Sequence, residues 1–384
     1  MKVLHVFTLS RTAIAFFDGQ FRYLKEHGYE IVLACKREDG IEEFAERNGV
    51  KYIPVEIPRS MSPVAITKAI GMIKQIIKTE KPEAVFGHTP VGALVAMIAA
   101  KLAGVKKRIY YRHGIIYSTM AGFKQKVFMA EERFVSALAT HIVNVSPSLA
   151  EKCAKDGINK AEKNMVIGRG TCGGIDAQGM FKPALLDAER LEQERERLGL
   201  KGADIVFGFC GRFCKDKGTP ELVDGFDLFK QRHPELNVRL LMVGPFDERD
   251  ILPEETKKTM QESEDIVLTG RVLKKDIPLY YRLMDCFIFP SHREGFGMCV
   301  IEASAMEVPI LVAPSHGCVD SIKEGISGFY IDLNAESICK GMERMQNREH
   351  MAAIGKQGRQ FVLENFDFKE MWSKVNELYN KILR

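Results

Sequence analysis

Two glutamates, Glu294 and Glu302, bracket the segment Glu294-Gly295-Phe296-Gly297-Met298-Cys299-Val300-Ile301-Glu302, which runs out of the apolar stretch Cys286-Phe287-Ile288-Phe289-Pro290. The pattern predicts a strand, a glycine-flexible loop and a helix, with Glu294 in the loop and Glu302 one turn into the helix. A helix start preceded by small residues offers free backbone N–H groups and a positive dipole end to an anion. Carboxylates do not bind phosphate, but they accept hydrogen bonds from hydroxyls. The pair therefore suits a diphosphate with a sugar at either end, the shape of a nucleotide-sugar. Taken alone, a loop charge and a solvated helix residue would look the same.

A cationic counterpart lies upstream. Gly211-Arg212-Phe213-Cys214-Lys215-Asp216-Lys217-Gly218 follows the apolar stretch Ile205-Val206-Phe207-Gly208-Phe209-Cys210. Arg212 offers a planar fork of donors and Lys217 a point charge, two complementary ways of holding a diphosphate. Both segments are expected at the C-terminal ends of strands, where open α/β sheets bind ligands. No Asp-x-Asp, His-x3-His or His-Glu-x2-His segment occurs. No metal and no cofactor are expected, the positive charge coming from Arg212, Lys217 and the helix end.

The glycine-arginine-x4-lysine-glycine turn, the Glu-x7-Glu segment and Gly270-Arg271 closely resemble family-4 retaining glycosyltransferases of the GT-B fold. His88-Thr89-Pro90, Arg112-His113-Gly114 and Gly168-Arg169-Gly170-Thr171-Cys172-Gly173-Gly174-Ile175-Asp176 are similar to the subgroup that builds capsular, O-antigen and lipid-linked oligosaccharides in bacteria. The resemblance implies two Rossmann-like, doubly wound α/β domains facing a central cleft. It implies catalytic roles for Arg212, Lys217, Glu294 and His113, with Gly211, Arg271, Gly295, Phe296, Gly297 and Glu302 binding the donor. Glu302 would take the ribose hydroxyls, Glu294 those of the donor sugar, and His113 would reach the sugar from the first domain. Without the resemblance, a lone histidine after a strand is more often a structural hydrogen-bonder.

On the acceptor side, Ser10, Arg11, His88 and Arg112 are the candidates. Many relatives carry a glycine pair after the first strand, whereas this chain has Thr8-Leu9-Ser10-Arg11-Thr12. Arg11 would suit an acceptor bearing its own phosphates. The implied partners are a UDP-sugar donor and a glycan or polyprenyl-diphosphate-linked acceptor. The basic residues Lys106, Lys107, Arg108, Lys124 and Lys126 face either solvent or an anionic membrane surface.

Bulk properties bound the rest. A chain of 384 residues calls for two domains, expected at 1–178 and 179–367, with a final helix at 368–384 packed on the first. Alternating short apolar runs and amphipathic stretches predict parallel strands with crossover helices. The expected strands lie near 2–7, 30–35, 52–55, 83–87, 108–112 and 141–145. Those of the second half lie near 204–210, 237–243, 266–268, 286–290 and 309–313. One helix is expected over 14–27, and the charge-dense stretch Lys182 to Leu198 is expected to separate the halves. A net charge of +4 is too mild for nucleic acid. Nine scattered cysteines and a strand-like start without a leader pattern predict a cytoplasmic protein, and the mild positive charge would permit a peripheral seat on the inner face of the membrane.

Two other functions fit this architecture. A sugar-nucleotide epimerase would need an acidic cluster in the first domain, and none is evident. A non-catalytic nucleotide-sugar-binding subunit would not need Arg212, Lys217, Glu294 and Glu302 all intact. A dinucleotide oxidoreductase is excluded because no Gly-x-Gly-x2-Gly follows the first strand.

Overall fold

The structure is a computed structural model and describes residues 1–58 and 62–384. It divides into a first unit, Met1–Gly174 with Lys369–Arg384, and a second, Ile175–Phe368.

The first unit holds β1 (Lys2–Val6), β2 (Glu30–Cys35), β3 (Lys51–Pro54), β4 (Ala84–His88), β5 (Lys107–Arg112), β6 (His141–Asn144) and β7 (Asn164–Val166). Their order is β3-β2-β1-β4-β5-β6-β7, and every pair is parallel. Parallel neighbours need long crossovers, supplied by helices such as Pro63–Glu80 and Pro90–Leu102. The latter packs tightly because its facing residues are small. A Cβ on Gly87 of β4 would stand 2.7 Å from Ala93 Cα, so only glycine allows this approach. The chain order reverses between β1 and β4, which makes the C-terminal ends of those strands the switch point.

The second unit repeats the scheme with β8 (Ile205–Cys210), β9 (Val238–Val243), β10 (Ile266–Leu268), β11 (Cys286–Phe289), β12 (Ile310–Val312) and β13 (Gly328–Tyr330). The order is β10-β9-β8-β11-β12-β13, again all parallel. Its switch point lies between β8 and β11. These are the strands that lead into Gly211-Arg212 and into Glu294.

Several expectations needed correction. The helix over 14–27 is two, Ser10–Phe17 and Gln20–Glu26, broken at Gly19 with φ 76°. A Cβ there would meet the indole of Trp372 at 2.6 Å, so glycine makes room for the final helix. The helix Ile41–Asn48 and the three-residue edge strands β7 and β13 were not foreseen. The polar stretch from Lys182 contains the helix Ala188–Arg197, capped by Asp187, whose carboxylate accepts from the Glu189 and Arg190 amides. The unit boundary falls at 174/175 rather than 178/179, because Ile175 donates to Phe366 O and accepts from Phe368 N, both at 2.9 Å.

The final helix, Phe368–Leu383, packs within the first unit. Met371, Val375, Leu378, Tyr379 and Ile382 form its buried face, and each large apolar side chain so buried contributes about 1.5–3 kcal/mol before ordering costs. Tyr29 adds a hydrogen bond to Asn380 at 3.0 Å.

Candidate active site

In the second unit the turn after β8 and the loop after β11 are laced together at the switch point. His292 N donates to Asp216 O at 2.9 Å, Arg293 Nε donates to Asp216 Oδ2 at 3.1 Å, and His292 Nε2 lies 2.8 Å from Glu221. Gly218 makes this possible. With φ 68° and a would-be Cβ 1.9 Å from Pro290 O, no other residue could sit there. The lacing brings Lys217 Nζ into an ion pair with Glu294 Oε1, which also accepts from the buried Ser291 hydroxyl at 2.9 Å. Lys217 lies above the Phe289 ring, 5.5 Å from its centroid. Burial disfavours its ammonium, but Glu294 outweighs that and holds its pKa above the ordinary lysine value.

Arg212 projects to solvent and is ion-paired with Asp247, which the Phe213–Phe246 bridge brings alongside. The helix Met298–Ala305 starts after Gly297, and no side chain caps its first N–H groups. Phe296 is buried against Phe366, ring centroids 5.3 Å apart, which anchors the Gly295–Gly297 loop ahead of that helix start. Glu302, one turn in, accepts a 3.0 Å hydrogen bond from the buried Tyr281 hydroxyl. Burial pushes its carboxyl up to about 7, with Tyr281 and Lys274 pulling the other way. Arg271 is exposed beyond β10. At the helix start Met298 N donates to Phe296 O at 2.8 Å and Val300 N to Gly297 O at 3.0 Å, so the groups able to hold an anion are chiefly the Lys217 ammonium and the Arg212 guanidinium, with the carboxylates Glu294 and Glu302 able to accept from hydroxyls. Among the described residues no three His, Cys, Asp or Glu side chains gather as a metal site.

The first unit treats its candidates less evenly. His113 is half-buried just past β5, with burial lowering its pKa to about 4, and stacks near Phe16. Arg11 is exposed in the first turn of Ser10–Phe17, at the switch point. Ser10 is buried and donates to Glu38 at 2.6 Å, so its hydroxyl is committed inside the unit. His88 is wholly buried between His5 and His113, which corrects its placement on the acceptor side. Arg112 is corrected too. Its guanidinium is enclosed by Asn144, Asn159, Ser136 and Glu132, at 3.0, 3.1, 2.7 and 3.3 Å, and joins β5 to its neighbours instead of meeting an acceptor.

The basic residues are not one cluster. Lys107 and Arg108 begin β5, with Lys106 just before them, at the end of the sheet opposite the switch point. Lys107 donates to Leu383 O, and Arg108 to Leu138 O and Val105 O at 2.7 Å. Lys124 and Lys126 lie beyond the other end of β5, exposed in the helix Gly122–Leu138 beside exposed Phe123 and Val127. Sequence reasoning missed Ser291, Asp247, Tyr281, Lys274, His5, Tyr379 and Cys172. Tyr281 had a signal, an aromatic hydroxyl in the helix Ile277–Arg282 just before β11.

Two all-parallel sheets, the second with a basic turn at its switch point, form the open α/β arrangement that binds ligands at strand C-terminal ends. Residues 191–361 match the family model described as glycosyl transferases group 1, and residues 2–146 the model described as glycosyl transferase 4-like. The chain belongs to the family-4-like glycosyltransferases of the GT-B fold. It is 29% identical to the capsular polysaccharide biosynthesis glycosyltransferase CapM of Staphylococcus aureus, over 100% of this chain and 98% of that protein. It is 23% identical to the Escherichia coli UDP-Gal:alpha-D-GlcNAc-diphosphoundecaprenol alpha-1,3-galactosyltransferase, over 94% and 91%. Among solved structures, Anabaena HepE in complex with UDP and glucose superposes with a TM-score of 0.80 at 17% identity, covering 99% of each chain.

Proposed function

We propose that this glycosyltransferase moves a hexose or N-acetylhexosamine from a UDP-sugar, with retention and without a metal, to a capsular, O-antigen or polyprenyl-diphosphate-linked glycan. The observation that carries the reading is the Lys217–Glu294 pair at the switch point, with Glu302 beyond it in the following helix. The donor's diphosphate takes Lys217, Arg212 and the helix start, while Glu294 turns from counter-ion to acceptor of sugar hydroxyls. Glu302 takes the ribose. Charge builds on the leaving diphosphate in an oxocarbenium-like transition state, and fixed positive groups stabilise it. The names of the relatives, one capsular and one acting on a diphosphoundecaprenol-linked sugar, support the acceptor class.

The exposed Phe123, Lys124, Lys126 and Val127 support a peripheral seat on anionic lipid at the cytoplasmic face, apolar groups entering the interface and lysines meeting headgroups. Among the described residues no helix is long and apolar enough to cross a membrane.

The test is a panel of sugar nucleotides with a lipid-diphosphate-linked acceptor, in chelator, followed by assignment of the product's anomeric configuration. Transfer from a UDP-sugar with retention supports the proposal. Transfer that stops in chelator and returns with magnesium or manganese sinks the metal-free part, and inversion sinks the retaining part.

A further inference from the structure

Three histidines on neighbouring strands of the first unit form a staircase. His5 of β1 is in register with Phe86 of β4, and His88 stands two residues beyond Phe86. His88 is in register with Tyr111 of β5, and His113 stands two residues beyond Tyr111. Residues two apart share a face of a sheet, so each ring reaches the next diagonally. His5 Nδ1 lies 2.9 Å from His88 Nε2, and His88 Nδ1 lies 3.0 Å from His113 Nε2. Tyr379 of the final helix closes one end, its hydroxyl 3.0 Å from His5 Nε2, and Cys172 the other, its sulfur 3.3 Å from His113 Nδ1. Every ring nitrogen is engaged. Only His113 among the five is more than marginally exposed.

All three rings are neutral, since burial lowers His5 to about 3, His113 to about 4 and His88 well below its ordinary value. A neutral imidazole donates from one nitrogen and accepts at the other. Three in series must therefore share one direction, and the ends choose it. Burial holds the Tyr379 phenol protonated, and its only hydrogen-bond neighbour among the described residues is His5 Nε2. Run the other way, the chain would leave that buried proton without an acceptor, which is the costlier arrangement. At the far end the sulfur is a weak acceptor. The loop carrying it is held in strain, for the β-branched Thr171 has φ 76°, fixed by its 2.6 Å bond to Val145 O and by the Gly173 and Gly174 amides donating to its hydroxyl.

We infer that Tyr379, through His5 and His88, fixes His113 as the Nδ1–H tautomer, so that its ring presents a proton which a phosphate or sugar-hydroxyl oxygen takes from the weakly accepting Cys172. Tyr379, His5 and His88 are positioning residues, and the inference rests on the glycosyl-transfer reading above.

The test is nitrogen-15 spectroscopy of the full chain with labelled histidine, His113 being assigned by comparison with His113→Gln. The wild type is expected to show His113 protonated at Nδ1. Protonation at Nε2, or a mixture of the two, overturns the inference, and this arm needs neither substrate nor a second variant. Tyr379→Phe keeps the ring stacked on Phe86 but removes the proton. It is expected to move His113 towards a tautomer mixture and to lower kcat about tenfold at unchanged donor KM, the loss of one hydrogen bond. A lowered kcat with the tautomer unmoved shows a merely structural role and overturns it. Because the tautomer is read without turnover, a failure of the transfer reading remains distinguishable from a failure of this one.

Discussion

Lys217 and Glu294, 77 positions apart in the chain, form an ion pair where β8 and β11 deliver their loops to the same point. Read singly, one is a phosphate ligand and the other a sugar ligand. In the structure each is the other's partner, so a donor that took both residues would exchange one set of contacts for another. Glu294→Gln keeps the shape and removes the charge. UDP affinity should be unchanged or rise, because Lys217 is freed, while turnover falls about 10- to 100-fold, the worth of one charge-assisted hydrogen bond. Calorimetry with UDP beside steady-state kinetics with the sugar nucleotide checks this, and a parallel loss of UDP affinity refutes the division of roles.

Glu302 gives a pH dependence of definite sign. Its folded-state pKa of about 7 stands above the ordinary 4.5, so the folded protein holds a proton that the unfolded chain has lost. Stability should therefore fall as pH rises from about 4.5 to 7, by on the order of 3 kcal/mol from this group, and Glu302→Gln should flatten the slope. UDP binding should move the other way and tighten through pH 7, since ribose hydroxyls need the carboxylate. Denaturation and titration series at pH 5 to 8 test both, and a UDP affinity flat with pH counts against the ribose role.

Arg112 predicts loss of stability. Arg112→Ala leaves Glu132 buried without its cation and should cost about 3–5 kcal/mol. Urea denaturation measures it. A change under about 1 kcal/mol would show that the buried cluster is not structural.

Arg11 is the one acceptor-side candidate left exposed at the switch point. Arg11→Ala should raise the acceptor KM and leave UDP binding intact. Unaltered acceptor kinetics would point to an acceptor without phosphates.

Charge reversal separates the two basic groups. Lys124→Glu with Lys126→Glu should release the protein from anionic vesicles at low salt, an attraction screened over roughly 10 Å at 0.1 M. Lys106→Glu should not, because that residue lies at the opposite end of the sheet. Equal release by both would dissolve the distinction.

The meeting of the two loops in the second unit was legible because its parts lie in contiguous segments, each beginning where an apolar strand ends. Gly211-Arg212 and Glu294-Gly295 declare their own turns, and sheet order then sets them side by side. The histidine chain was not legible. His5 sits in an apolar strand like any satisfied core residue, and only the order β1-β4-β5 with its register makes it a neighbour of His88. Arg112 misled for the same reason: adjacent to His113 in sequence, it points to the other face of the strand and into the interior. Short edge strands such as β7 and β13 carry too few residues to show a period.

The final helix also sets an order of biogenesis. Residues 1–174 leave the ribosome while Trp372 and Tyr379 are still unmade, so the gap at Gly19 stays unfilled and His5 lacks its phenol. At roughly 5–20 residues per second, the roughly 200 residues still to be made impose a wait of about 10–40 s. The half of the enzyme made first is thus the half finished last, and chains cut short after Phe368 should carry a complete second unit and a first unit without Trp372 and Tyr379.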